Sequence, residues 1–311
     1  MRRLVLATGI ATFVLIIVGG VVRVSDSGLG CGPAGSGFHG WPFCNGDVVP
    51  GVDLNSIVEY THRVVAIVVG FMILSLFVLA WRRHREYLAA AAALLVLVIA
   101  QGALGGATVE ENLEEAYVAA HLGLAMLLLG LLLYLWRGVN AAPQVSGGSG
   151  VRALSIAASA AVLCTIVAGG YMAGTQNYGR ADYRLGEGAH HACGKQFPTC
   201  NGEFMPFGKA ELVDIHLTHR AFMYLASLLV ISLVVVAIRR GVLTRHAWVL
   251  AGLLALQVLV GALNVWLDEY ELLILLHLAL GTLLWVTTLA MTLRFAPARQ
   301  RAPRRAEAVA A

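Results

Sequence analysis

The sequence predicts an all-α polytopic membrane protein, with eight transmembrane helices arranged as two pseudo-symmetric four-helix bundles. Three observations predict it. Of the 311 residues, 59% are hydrophobic and 13% charged, with a mean hydropathy of +0.76. Soluble domains carry about 25% charged residues. Apolar runs of about 20 residues, enough to cross a bilayer core, recur along the chain. Finally, motifs of the first half return in the second at a fixed offset. This composition excludes a soluble enzyme, a disordered polymer and a nucleic-acid binder. The net charge is +4, but the placement of the charges says more than their sum.

The apolar spans are 4–22, 56–81, 88–108, 116–136, 151–173, 212–238, 246–266 and 271–293. Hydrocarbon offers no water to free backbone groups, so each span must be a helix. Barrel strands would be shorter and alternate in polarity. The first span follows Arg2 and Arg3 like a signal peptide. Its run is longer than a signal core and no A-x-A site follows, so it reads as a retained helix.

The loops give the orientation. With a cytoplasmic N-terminus, the inside segments hold 15 of the 22 basic residues, all arginine, including Arg82, Arg83, Arg137, Arg239 and Arg240. All acids but Glu86 and Glu307 then lie outside. The Lys/Arg bias is the signal that counts, and it places both termini in the cytoplasm of a multi-pass cell-membrane protein. The segment 295–311, rich in Arg, Ala and Pro, reads as a disordered tail near anionic lipid.

Pro42-Phe43-Cys44-Asn45-Gly46 matches Pro198-Thr199-Cys200-Asn201-Gly202, and Thr61-His62-Arg63 matches Thr218-His219-Arg220. Gln101, Gly105 and His121 match Gln257, Gly261 and His277, always at an offset of 156 or 157. Gly19-Gly20 resembles Gly169-Gly170 at an offset of 150. The chain therefore divides into an N-terminal half (1–137), a linker (138–150) and a C-terminal half (151–294). Four spans per half is even, so both halves face the same way, related by an axis along the membrane normal.

Among the ten histidines, His62, His121, His219 and His277 lie inside spans in register through the repeat, one to two turns from the outer ends of even-numbered helices. Polar groups within a span are costly and mark function. Two facing imidazoles in a four-helix unit suit haem iron. The plainer reading is an interhelical hydrogen bond. Zinc or copper fits less well, since no cysteine or carboxylate completes a tetrahedral set in both halves. Arg63 and Arg220 follow the first histidine of each half. They suit either haem propionates or a snorkelling interfacial role. Gln101 and Gln257, beside small residues, read as helix packing.

The outer loops each hold a cysteine pair, Cys31 with Cys44 and Cys193 with Cys200. Outside the cytoplasm these persist as disulfides. Loop closure is the default role, and redox activity the sharper alternative. Cys164, within the fifth span, reads as a small buried hydrophobe. One position separates the halves. Glu59 lies three residues before His62, whereas His216 lies three before His219. Glu59 would make one half reactive and leave the other an electron carrier. Alternatively it stabilises the positive end of its helix.

With these residues in view, the chain resembles the haem A synthases. The likeness rests on Gly19-Gly20-Val21-Val22-Arg23-Val24-Ser25, Ser27-Gly28-Leu29-Gly30-Cys31 and Trp41-Pro42-x-Cys44. It continues through Glu59-x-x-His62-Arg63, His121, His219-Arg220 and His277. It covers all eight spans. The resemblance implies oxidation of the C8 methyl of haem O to a formyl group by successive O₂-dependent hydroxylations. It implies that His62 and His121 hold the substrate or product haem, and that His219 and His277 hold a haem b cofactor. It implies that Glu59 is the catalytic carboxylate and that the cysteine pairs are the two disulfides of the bacterial type. His216 is a second candidate ligand, but His219 alone aligns with His62. A haem O synthase is the partner implied upstream, with the electron donor unspecified and a homo-oligomer open. The competing class is a di-haem b-type electron carrier or quinol-oxidising subunit. A transporter ranks third, because no inverted repeat is visible.

Overall fold

The computed structural model describes residues 1–141, 143–145, 148–175, 188–267 and 271–295. Among them, eight helices are long and apolar enough to cross a membrane. They are α1 (Arg2–Val24), α2 (Leu54–Arg83), α3 (Leu88–Glu110), α4 (Glu115–Val139), α5 (Gly148–Gly174), α6 (Glu211–Arg239), α7 (Thr244–Trp266) and α8 (Glu271–Phe295). Each coincides with an expected span to within three residues. The tail expected to be disordered lies outside the described residues, apart from Phe295 at the end of α8.

Charge at the helix ends explains where the elements stop. The even helices open on acids: Asp53 caps α2, accepting from the Ser56 N–H at 3.0 Å, and Glu115, Glu211 and Glu271 occupy first turns. All four end on arginine: Arg82 and Arg83, Arg137, Arg239, and Arg294. Acids at helix N-termini and cations at C-termini complement the helix dipole, and arginine at a span's end also reaches water.

Within each half the helices form a ring. α1 packs on α2, α2 on α3, α3 on α4 and α4 back on α1, and α5–α8 repeat the circuit. The halves meet along a seam of α4 with α5, α1 with α8 and α4 with α8. The seam has its own core, including Ile16, Met126, Leu129, Val162, Leu284 and Trp285, all buried. The Trp285 indole N–H donates to the Met126 carbonyl at 3.2 Å across it. Arg23 Nη2 donates to the Ala173 carbonyl at 2.6 Å, tying the outer end of α1 to α5. Gly174 lets α5 close on α4, since a Cβ there would overlap Glu115 Cα; close backbone approach through small residues is how membrane helices associate. A second core, with Val69, Ile73, Leu76, Leu94 and Leu132, fills the first ring toward the C-terminal ends of α2 and α4.

One expectation fails. Cys164 is exposed on α5, not buried. A residue facing lipid and one facing protein can be equally apolar, so hydropathy does not separate them.

Candidate haem-binding site

The outer loops are built alike. Cys44 N–H donates to the Asp47 carbonyl at 2.8 Å, and Asp47 N–H donates back at 3.1 Å. Cys200 and Glu203 repeat both bonds at the same lengths. The residues between, Asn45-Gly46 and Asn201-Gly202, all have positive φ, from 52° to 86°. Such a two-residue turn needs left-handed backbone at both central positions, which Asn-Gly supplies. The structure joins Cys31 to Cys44 and Cys193 to Cys200.

Each turn is held down by the arginine after the first histidine. Arg63 Nη1 donates to the carbonyls of Gly40 at 2.7 Å and Phe43 at 2.8 Å. Arg220 Nη1 donates to Thr199 O at 2.9 Å and its Nη2 to Gln196 O at 2.8 Å. Its guanidinium also stacks over the Phe197 ring. Arginine's fork of donors suits several fixed acceptors at once. Both groups are thus engaged by loop carbonyls, a role the sequence reading did not assign them.

Glu59 is 4% exposed. Its Oε2 accepts from the Cys31 N–H at 2.8 Å, and its Oε1 pairs with Arg63. The carboxylate is therefore fixed between its own helix and the disulfide loop. His216, its counterpart, is equally buried and donates Nδ1–H to the Ala189 carbonyl at 2.6 Å. That bond turns its ring toward the loop and leaves His219 as the ring matching His62. Desolvation first, and the nearby His216 second, hold the His190 imidazole of this loop well below the usual histidine range. Burial disfavours the charged ring, so His190 is neutral at pH 7.

His219 and His277 face each other from α6 and α8, opposite members of the second ring, with centroids 6.5 Å apart. Two metal–nitrogen bonds of about 2.0–2.1 Å, plus about 1.1 Å from nitrogen to ring centre on each side, span about 6.3 Å. The pair therefore has room for one iron between its rings. His219 Nδ1 donates to the Thr165 carbonyl at 3.0 Å, which leaves Nε2 with a free lone pair. A metal-bound histidine usually carries such an outer bond, which fixes tautomer and ring plane. His277 Nε2 accepts from the Gln257 amide at 3.2 Å, a bond that ligation of a metal through this nitrogen would replace. In the first ring His62 and His121 interact across α2 and α4, and both leave Nδ1 buried without a hydrogen bond.

Gln101 donates to the His121 carbonyl at 3.0 Å. Both glutamines therefore bond the neighbouring histidine helix, as an interhelical packing role requires, and they do so at the histidines themselves. Among the described residues, no group of three or more His, Cys, Asp or Glu is gathered to hold a metal ion. A groove of about 890 Å³ opens between α5 and α6, lined by Cys164, Tyr171, Asp214 and Thr218, with none of the four span histidines in its wall.

The family profile described as "Cytochrome oxidase assembly protein" matches residues 53–289. The chain is 33% identical to Heme A synthase of Symbiobacterium thermophilum over 288 residues, 85% of each chain. It is 30% identical to Heme A synthase of Halalkalibacterium halodurans over 240 residues, 74% of this chain and 72% of that one. Against Heme A synthase of Alkalihalophilus pseudofirmus the identity is 31% over 224 residues, 68% of each.

Proposed function

We propose, from the premise that this chain belongs to the cytochrome oxidase assembly protein family, that it is a haem A synthase, a membrane oxidoreductase converting haem O to haem A. The observation that carries the assignment of roles is the one asymmetry between two matched histidine pairs. Glu59 lies beside the first pair, and His216 occupies its place beside the second.

The N-terminal half (1–137) takes haem O as substrate between His62 and His121. The C-terminal half (151–294) holds haem b between His219 and His277, with 138–150 as linker. When bound, haem b supplies a one-electron carrier beside the reacting half. The chain's own contribution is positioning. His219 is held in one tautomer by Thr165 O, which leaves Nε2 as its acceptor nitrogen. The disulfide loop covers the outer end of the first ring, and Arg63 binds that loop through Gly40 O and Phe43 O. We assign Arg63 and Arg220 to anchoring these loops; a propionate contact would have to displace those bonds.

Glu59 supplies a fixed anion one helical turn from His62. Oxidation of a methyl group on the substrate develops charge and releases protons, and a preorganised carboxylate in a low-dielectric site stabilises the one and accepts the other. The arginine asymmetry supports a cell-membrane protein with both termini cytoplasmic and its haem sites toward the outer face. The preceding reaction must attach the side chain that distinguishes haem O, the work of a haem O synthase.

The test is haem extraction from purified protein. Haem O or haem A together with haem b is expected. Two molecules of haem b alone would replace the synthase by a di-haem electron carrier.

A further inference from the structure

Each of the four span histidines rests on a glycine of the preceding helix. A Cβ added to Gly19 on α1 would lie 3.1 Å from His62 Cε1, and one on Gly105 of α3 would lie 3.1 Å from His121 Cε1. The same atom at Gly169 of α5 would be 3.0 Å from His219 Cε1, and at Gly261 of α7 it would be 2.8 Å from His277 Cε1. In all four cases Cε1 is nearest, Nδ1 next and Nε2 third, at 3.8 or 3.9 Å. Four helix pairs thus present four imidazoles in one pose. The Nδ1–Cε1–Nε2 side of each ring faces its glycine, with Cε1 at the contact.

In the second half the residue four before each seat also bonds the ring. Thr165, four before Gly169, receives the His219 Nδ1–H. Gln257, four before Gly261, reaches His277 with its side-chain amide, 3.2 Å from Nε2. A glycine inside a helix costs roughly 0.5–1 kcal/mol relative to alanine. That local cost is offset if the missing side chain is what admits the ring.

We propose that Gly19, Gly105, Gly169 and Gly261 are positioning residues for the haem ligands, each a seat that sets the depth and tilt of one imidazole. The proposal rests on the haem-ligand reading of the four histidines. Unstrained carbon contacts are about 3.5–4.0 Å, so alanine at Gly261 must drive the His277 ring off its present position. A ring bonded to iron has little freedom to yield.

The experiment uses full-length purified protein and reads haem b by optical and EPR spectroscopy. Gly261→Ala is expected to convert low-spin to high-spin signal and to lower haem retention about tenfold, the low end for changes to groups that orient a metal ligand. Gly252→Ala is the control, on the same helix with open space around the added atom; it should leave the spectrum unchanged. Parental spectra in both variants would overturn the proposal, provided His277→Ala loses the signal. If His277→Ala itself keeps the parental spectrum, the ligand reading fails instead. Should Gly261→Ala not accumulate, Gly169→Ala, with its slightly longer approach to His219, decides by the same readout. A folded Gly169→Ala protein with an unaltered low-spin signal would equally overturn the seats.

Discussion

Replacing Glu59 by glutamine removes one charge from a buried pair while changing almost nothing in volume. The two side chains are 5% exposed for Glu59 and 12% for Arg63. Removing one partner of such a pair costs about 3–5 kcal/mol, mostly because the other charge stays buried. Here the cost should fall at the low end, about 3 kcal/mol, because Arg63 keeps two carbonyl acceptors and glutamine can still accept from the Cys31 N–H. At about 1.4 kcal/mol per tenfold, that shifts loop docking roughly 100-fold toward the open state. Haem should remain bound, haem A should fall steeply, and haem O or a hydroxylated haem should accumulate, as read by chromatography of extracted pigment. Arg63→Gln separates charge from docking. It loses the same ion pair and both loop carbonyl bonds, so it should open the loop further, read by limited proteolysis, yet retain more haem A than Glu59→Gln. Parental haem A yield in well-expressed Glu59→Gln protein would refute the reasoning. So would a haem A yield that simply follows loop opening across both variants.

His277→Ala should abolish or shift the low-spin haem b signal in optical and EPR spectra; parental spectra in both His219→Ala and His277→Ala would remove the cofactor assignment. Alkaline phosphatase fused after Asp47 should be active and after Arg83 inactive, and the reverse pattern would invert the topology. Mass spectrometry of unreduced peptides should recover Cys31 linked to Cys44 and Cys193 linked to Cys200. Free thiols at both pairs, or links between the halves, would contradict the loop architecture.

The eight helices were legible because lipid leaves the backbone no alternative and because charges mark the helix ends. The histidine pairs were legible for a different reason: the repeat placed His62 with His219 and His121 with His277, fixing depth without any contact being known. Loop geometry was harder. Asn45-Gly46 and Asn201-Gly202 carry a turn signal that can be read from sequence. The acceptors of Arg63 and Arg220 carry none, since one guanidinium serves a propionate or a carbonyl equally well. Gly105 and Gly261 stood out as repeats. What they do depends on where a neighbouring helix lays its imidazole, and that is decided by packing between helices, not by the pattern along one. Cys164 failed on the same ground.

The two histidine pairs stand at matching positions along their helices. His62 and His219 each stand eight residues into α2 and α6, and His121 and His277 six residues into α4 and α8. At about 1.5 Å per residue these are depths of about 12 and 9 Å from the helix starts. An electron passing between the halves would therefore travel sideways, along the plane of the bilayer. A charge moved fully across a membrane does work of about 2.3 kcal/mol per 100 mV, and one moved along an equipotential does none. In the proposed arrangement, exchange between the two halves is thus electrically silent: an energised membrane neither drives it nor opposes it, and its rate should be the same in collapsed and polarised vesicles.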